Sequence, residues 1–242
     1  VHALGAMADI AALVALAESW GVPLIEDAAC ALGAQKDGRP AGSWGALGCF
    51  SFHPRKAVTT GEGGAITTRN AELAWRLRVL RNHGLDPDAA SPNFVAAGYN
   101  LRLTEFQAAL GVSQMSRLDA IIEGRRTLAQ RYTSLLAESG VVAPREAPGT
   151  RHVYQTYAVL LPPEVAPRRD RVIAALRDRG IETAIATHHM PLTTYFQQRG
   201  RYRVGDFPVT DEVAGRALAL PLHTQLTQED QERVVRELLA LL

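Results

Sequence analysis

Lys56 lies in the run Ser51-Phe52-His53-Pro54-Arg55-Lys56-Ala57-Val58-Thr59-Thr60-Gly61-Glu62-Gly63-Gly64, between two apolar segments and beside glycines that let backbone approach a ligand. An amine in such a place could serve as a Schiff-base nucleophile. Asp27 closes the apolar run Val22-Pro23-Leu24-Ile25 through Glu26, as happens where a buried parallel strand delivers its carboxyl end to a site. Taken singly, each has an ordinary reading: a solvated loop lysine, and a carboxylate that caps a helix or joins an ion pair. Taken together, a carboxylate at one strand end and a lysine just beyond the next strand would face one crevice. Pyridoxal 5′-phosphate (PLP) needs that pairing, an amine to hold its carbonyl carbon and an acid to keep its pyridine nitrogen protonated.

The elements that must position these groups follow α/β grammar. Asp9 is a good N-cap for an amphipathic helix through Ile10, Leu13, Val14, Ala17 and Trp20, stopped at Gly21. Strands are expected over Val22–Ile25, Gly48–Phe52 and Ala65–Thr68, with a Gly- and Pro-bearing loop from Gly33 to Gly45. Asn70 caps a helix carrying Leu73, Leu77 and Leu80. Thr104 caps a long helical pattern that runs, with a break, to about Ser139. Met7, Trp75 and the leucine stripe of the long helix read as core positions at helical spacing. After the Pro/Gly-rich stretch Val142 to Thr150 the pattern becomes strand (154–161), helix (168–179), strand (181–185) and two helices (211–219 and 228–241), an α+β unit. The division is therefore residues 1–125 and 126–242.

Composition narrows the function classes. The 242 residues carry 26 Lys+Arg against 25 Asp+Glu, a formal charge of +1, with no like-charge block, so no nucleic-acid surface is indicated. The longest clean apolar stretch, Ile10 to Ala17, falls well short of the roughly 20 residues a bilayer crossing needs. Cys30 and Cys49 form neither a metal-type pair nor a disulfide framework and read as reduced thiols of a cytoplasmic protein. No metal site is expected.

Several ordered blocks resemble one family. Ile25-Glu26-Asp27-Ala28-Ala29, the Phe50 to Lys56 run, Thr60-Gly61-Glu62-Gly63-Gly64, Arg81-Asn82-His83-Gly84 and Gly98-Tyr99-Asn100-Leu101-Arg102-Leu103-Thr104 resemble the DegT/DnrJ/EryC1/StrS aminotransferases. The likeness continues through His152-Val153-Tyr154, Gly180-Ile181-Glu182-Thr183, Gly205-Asp206-Phe207-Pro208 and Leu220-Pro221-Leu222. It implies the PLP-dependent transferase fold of type I: a partial large domain with a mostly parallel sheet, plus a small α+β C-terminal domain. It implies that Lys56 holds PLP covalently and later shuttles a proton, that Asp27 bonds the pyridine nitrogen, and that Ser51 bonds the phosphate. Asn100 would reach the phosphate of a neighbouring subunit, so the resemblance also implies a homodimer with shared sites. The implied reaction moves an amino group, with glutamate as donor, to a nucleotide-linked keto-sugar.

The sequence also departs from the family pattern. Cys30 stands where relatives have Gln or His three residues after the acid. It is either a weaker contact to the cofactor or a small buried hydrophobe. Ala46 replaces a common aspartate, which bears on loop structure. In Thr187-His188-His189-Met190-Pro191-Leu192-Thr193, either imidazole could face a sugar nucleotide, or both could be satisfied surface histidines. In relatives roughly the first third of the chain comes before the Val1-His2 block and includes a phosphate-binding turn, so this segment by itself is expected to bind PLP weakly and to be inactive. Two alternatives stand beside this reading: a sugar dehydratase of the same family, which would carry histidine in place of Lys56, and a non-catalytic aminotransferase-like module.

Overall fold

The apolar period after Asp9 produces helix α1 over Ile10–Ser19, with Ile10 buried and Leu13 and Leu16 exposed. Asp9 occupies the cap position, but its side chain accepts no cap bond. The computed structural model describes residues 1–200 and 202–242 and contains two compact units, residues 1–123 with 146–155 and residues 124–145 with 156–242.

In the first unit, strand β1 is confined to Ile25–Asp27. The expected start at Val22 fails at Pro23, which has no N–H to give a ladder. The loop that follows holds a two-residue hairpin, β2 (Gln35–Lys36) and β3 (Arg39–Pro40). The chain then enters β4 (Leu47–Ser51) and β5 (Gly64–Thr67). β1 lies parallel to β4 with Asp27 opposite Cys49, and β4 lies antiparallel to β5, so this three-stranded sheet is mixed. Helix α2 (Ala71–Arg81) starts where Asn70 Oδ1 accepts the Leu73 N–H at 3.0 Å. A reciprocal Thr104–Gln107 capping box opens α3 (Glu105–Met115). The break foreseen in the long pattern falls at Ser116-Arg117, before α4 (Leu118–Leu135), which runs from the first unit into the second. β6 (Thr150–Arg151) returns to pair with β2.

The core of the first unit gathers Met7, Ile10, Ala28, Ala31, Ala34 and Ile122, with Val14 and Phe50 against it. Full burial of a side chain such as Ile122 contributes about 1.5–3 kcal/mol. Much apolar surface stays open: Trp20, Phe106 and Val112 are 77%, 85% and 74% exposed. Leu110 on α3 is exposed as well, whereas Leu118 of the same leucine stripe packs against the core and Leu136 is buried, so that expectation holds in part.

The second unit carries β7 (Tyr157–Leu160), α5 (Arg169–Asp178), β8 (Ala184–Ile185), α6 (Thr194–Gln197), α7 (Pro208–Arg216), β9 (Ala217–Leu220) and α8 (Gln228–Leu239). Its sheet order is β7-β9-β8, all antiparallel. Residues 217–219, expected to end a helix, instead form the central strand. The helix starts earlier than expected, with Pro208 at its first turn, where a missing N–H costs nothing. Tyr132 and Tyr157 pack with ring centroids 5.2 Å apart, and Tyr157 OH bonds Thr133 Oγ1 at 2.9 Å. A Thr227–Asp230 capping box starts α8, whose Val234, Val235 and Leu238 are buried. Among the described residues no helix is long and apolar enough to cross a membrane.

Candidate active site

The burial of β1 inverts its hydropathy. Ile25 is 58% exposed while Glu26 is 2% exposed, because alternate residues of a strand face opposite sides. The buried Glu26 carboxylate accepts backbone N–H groups of Gly42 (2.8 Å), Trp44 (2.6 Å) and Gly45 (2.7 Å). It also bonds His2 Nε2 at 2.9 Å. His2 Nδ1 accepts the Ala8 N–H, which leaves Nε2 as the donor to Glu26. Burial pushes the Glu26 carboxyl up, but the bonds from Gly45, His2, Gly42 and Trp44 outweigh it and hold the group below the usual glutamate range. Gly42 sits at φ +77°, and a Cβ there would lie 2.4 Å from the Phe50 ring, so glycine lets this loop close on the carboxylate. Glu26 thus ties the loop before β4 to β1, and the His2 N–H donates to Asp27 O at 2.9 Å on the same strand. Sequence reasoning passed over this hub. The only sign was an acid beside Asp27 in an otherwise apolar strand.

Asp27 points to the opposite side and is exposed. Its Oδ1 accepts the Ala29 N–H at 3.1 Å, shaping the turn after β1, and among the described residues Oδ2 has no partner. The Ala31 N–H to Ala28 O bond closes that turn, and both alanines are fully buried. Cys30 therefore projects from a fixed backbone.

Ser51 ends β4, and its Oγ accepts the His53 N–H at 3.3 Å, which leaves its own O–H to donate. The chain then turns, with Lys56 N–H bonded to His53 O at 2.9 Å, and Gln155 Nε2 donates to Arg55 O at 3.0 Å. Lys56, Ser51, Ala29, Cys30 and Gln155 line one small pocket. Within it, Lys56 Nζ donates to Cys30 Sγ at 3.0 Å, and no carboxylate pairs with it among the described residues. The chain has two lysines; Lys36 is the other, bonded to Pro148 O at 3.0 Å. Of the sequence candidates, Lys56 and Ser51 share the pocket, and Asp27 begins the turn that forms part of its wall. Asn100 lies elsewhere, exposed and bridged to Asn82, and does not line this pocket.

The residues match a family model described as the DegT/DnrJ/EryC1/StrS aminotransferase family over residues 1–239. The chain belongs to that family. A pleiotropic regulatory protein of Geobacillus stearothermophilus is 38% identical over 98% of this chain and 63% of its own length. GDP-perosamine synthase of Caulobacter vibrioides is 35% identical, over 98% of this chain and 64% of its own. A solved DegT DnrJ EryC1 StrS aminotransferase from Brucella abortus superposes with a TM-score of 0.87 at 31% identity, covering 98% of this chain and 62% of that one. This DegT-family chain thus spans a little under two thirds of the relatives it matches, and its fold is that of the family's aminotransferases.

The groups in and beside the pocket suit the chemistry of the family's cofactor, although Asp27 itself does not line it. A lysine amine free of carboxylate pairing, a hydroxyl with a proton to donate and an exposed carboxylate oxygen without a partner are the groups PLP would engage. In the second unit the two histidines of the 187–193 segment separate: His188 is exposed, while His189 Nε2 bonds Asp211 Oδ1 at 2.7 Å. His189 is thereby committed to the loop, which Asp211 also ties through the Gly205 N–H.

Proposed function

We propose that the whole protein is a PLP-dependent aminotransferase that moves an amino group from L-glutamate to a keto-sugar carried on a nucleoside diphosphate. The observation that supports this reading most is the convergence of Lys56 Nζ and Ser51 Oγ in one pocket beside the Asp27 turn. PLP, when bound, would supply an electron-withdrawing ring that acidifies the substrate C–H. Lys56 Nζ would anchor it covalently and then carry the proton. Asp27 Oδ2 would accept from the pyridine N–H, and Ser51 Oγ would donate to the phosphate. Asn100, exposed and outside its own chain's pocket, would serve the phosphate of a second copy, making a cytoplasmic homodimer with shared sites. Residues 1–125 would belong to the cofactor-binding domain, which the stretch 146–155 rejoins, and the rest of 126–242 to the small domain. The similarity to GDP-perosamine synthase supports a nucleotide-linked sugar as amino acceptor. The regulatory name of the Geobacillus relative favours a non-catalytic module as the second reading, and Lys56, which a dehydratase would lack, speaks for transamination.

The test uses the whole protein, because these 242 residues by themselves are expected to bind PLP weakly. The purified protein is mixed with PLP, reduced with borohydride and digested, with Lys56→Ala as control. Label on the Lys56 peptide is expected; label confined to other lysines of the whole protein, or none, overturns the cofactor assignment. Release of 2-oxoglutarate on adding L-glutamate to the PLP-loaded protein then tests the donor.

A further inference from the structure

We propose that Cys30 is a positioning residue for the Lys56 amine, its Sγ holding Nζ within the pocket in the orientation that meets a carbonyl carbon. This rests on the reading of Lys56 as the PLP lysine. The Nζ–Sγ distance is 3.0 Å, and it is the one hydrogen bond of that amine among the described residues. Both backbones are fixed. Cys30 lies between the fully buried Ala28 and Ala31, in a turn that Asp27 Oδ1 closes on one side and the Ala31 N–H on the other. Lys56 lies in the turn closed by its own N–H on His53 O, with Arg55 O tied to Gln155. The four-carbon lysine stem is then the main freedom left, and one partner at its tip removes most of it. A thiol suits this task because it is a weak acceptor. A carboxylate in its place would hold the ammonium as an ion pair, whereas sulfur orients the amine and gives it up when it reacts. In that reaction Nζ forms a bond to the carbonyl carbon, and the oxygen leaves as water with both hydrogens from Nζ. The turn shaped by Asp27 thus serves twice, presenting the carboxylate on one side and the thiol that aims the lysine on the other.

The test compares the unsubstituted protein with Cys30→Ala and Cys30→Ser, each checked for unchanged circular dichroism. A short pulse of acetic anhydride gives the labelling of Lys56 relative to Lys36, and the initial rate of PLP capture is read by borohydride trapping at Lys56. Cys30→Ala is expected to raise Lys56 acetylation relative to Lys36, because the amine is released to solvent. It is expected to slow PLP capture by about five-fold, the effect of one modest hydrogen bond. Cys30→Ser, which restores an acceptor, should return both rates to about those of the unsubstituted protein. Both rates unchanged in Cys30→Ala, or Cys30→Ser behaving like Cys30→Ala, overturns the proposal. If the unsubstituted protein takes no PLP label at Lys56, the cofactor reading falls, and the acetylation ratio still decides whether Cys30 holds the amine.

Discussion

Replacing Glu26 by glutamine tests the hub beneath the site. The carboxylate now satisfies four donors: three backbone N–H groups, of Gly42, Trp44 and Gly45, and His2 Nε2. Oε1 takes Trp44 and Gly45, and Oε2 takes Gly42 and His2. A glutamine can keep the first pair, but its NH2 then faces two donors. Two charge-assisted bonds disappear in a buried place, at about 1.5–3 kcal/mol each, so a loss of about 3–6 kcal/mol is expected at neutral pH. The sign of the pH dependence follows from the direction of the shift. The folded carboxyl is held below its ordinary value, so the stability it contributes is complete above about pH 4.3 and is lost as pH falls through the lower folded value. The difference between the two proteins should therefore be constant near neutrality and shrink on acidification below that point. All three tryptophans, Trp20, Trp44 and Trp75, belong to the first unit, so urea unfolding followed by tryptophan fluorescence reports on that unit alone. A loss under about 1 kcal/mol, or a difference that does not change between pH 7 and pH 3.5, would refute the assigned hydrogen bonds.

Asp27→Asn keeps an oxygen for the Ala29 N–H and so should preserve the turn, yet it cannot hold a ring nitrogen protonated. Label at Lys56 should persist while glutamate-driven 2-oxoglutarate release falls by at least about a hundredfold, and undiminished release would remove Asp27 from the chemistry. Gly84→Ala should cost about 3 kcal/mol or more, because φ is +82° and a Cβ would meet Ala96 O at 1.6 Å; an unchanged urea midpoint would contradict that close approach. Tyr132→Phe should leave stability unchanged or raise it by about 1 kcal/mol, since the buried hydroxyl has no partner among the described residues and its burial pushes the phenol pKa up. A loss beyond about 1 kcal/mol on far-ultraviolet circular dichroism would show that the hydroxyl is satisfied after all.

The parts of the fold that local physics decides were legible. Asn70 and Thr104 are caps because their side chains reach the third residue beyond, and the helices they open are where the period placed them. What local physics does not decide was missed. Ala217-Leu218-Ala219-Leu220 has good helix propensity, and only the flanking strands on both sides make it extended. The hairpin at 35–40 rests on two-residue strands and on a return of the chain at 150–151, more than a hundred residues on. The leucine stripe of the long helix is core only in part: Leu118 packs against the first unit's core and Leu136 is buried, while Leu110 is exposed. Periodicity shows that a face is apolar but does not identify what covers it.

The site divides the same way. Lys56 and Asp27 could be named because strand ends and glycine-flanked loops carry chemistry whatever the packing. The partner of each group depended on register, which residue types do not reveal. Parallel pairing sets Asp27 opposite Cys49, and that register brings the turn after β1 beside the loop after β4, so a cysteine 26 residues away becomes the acceptor for the lysine amine. The same alternation that turns Asp27 outward turns Glu26 inward, where it anchors the loop that leads into β4. Neighbouring acids of one three-residue strand thus do unlike work. One stays exposed with an oxygen uncommitted, as a cofactor contact requires, and the other gives up exposure to keep that strand in place.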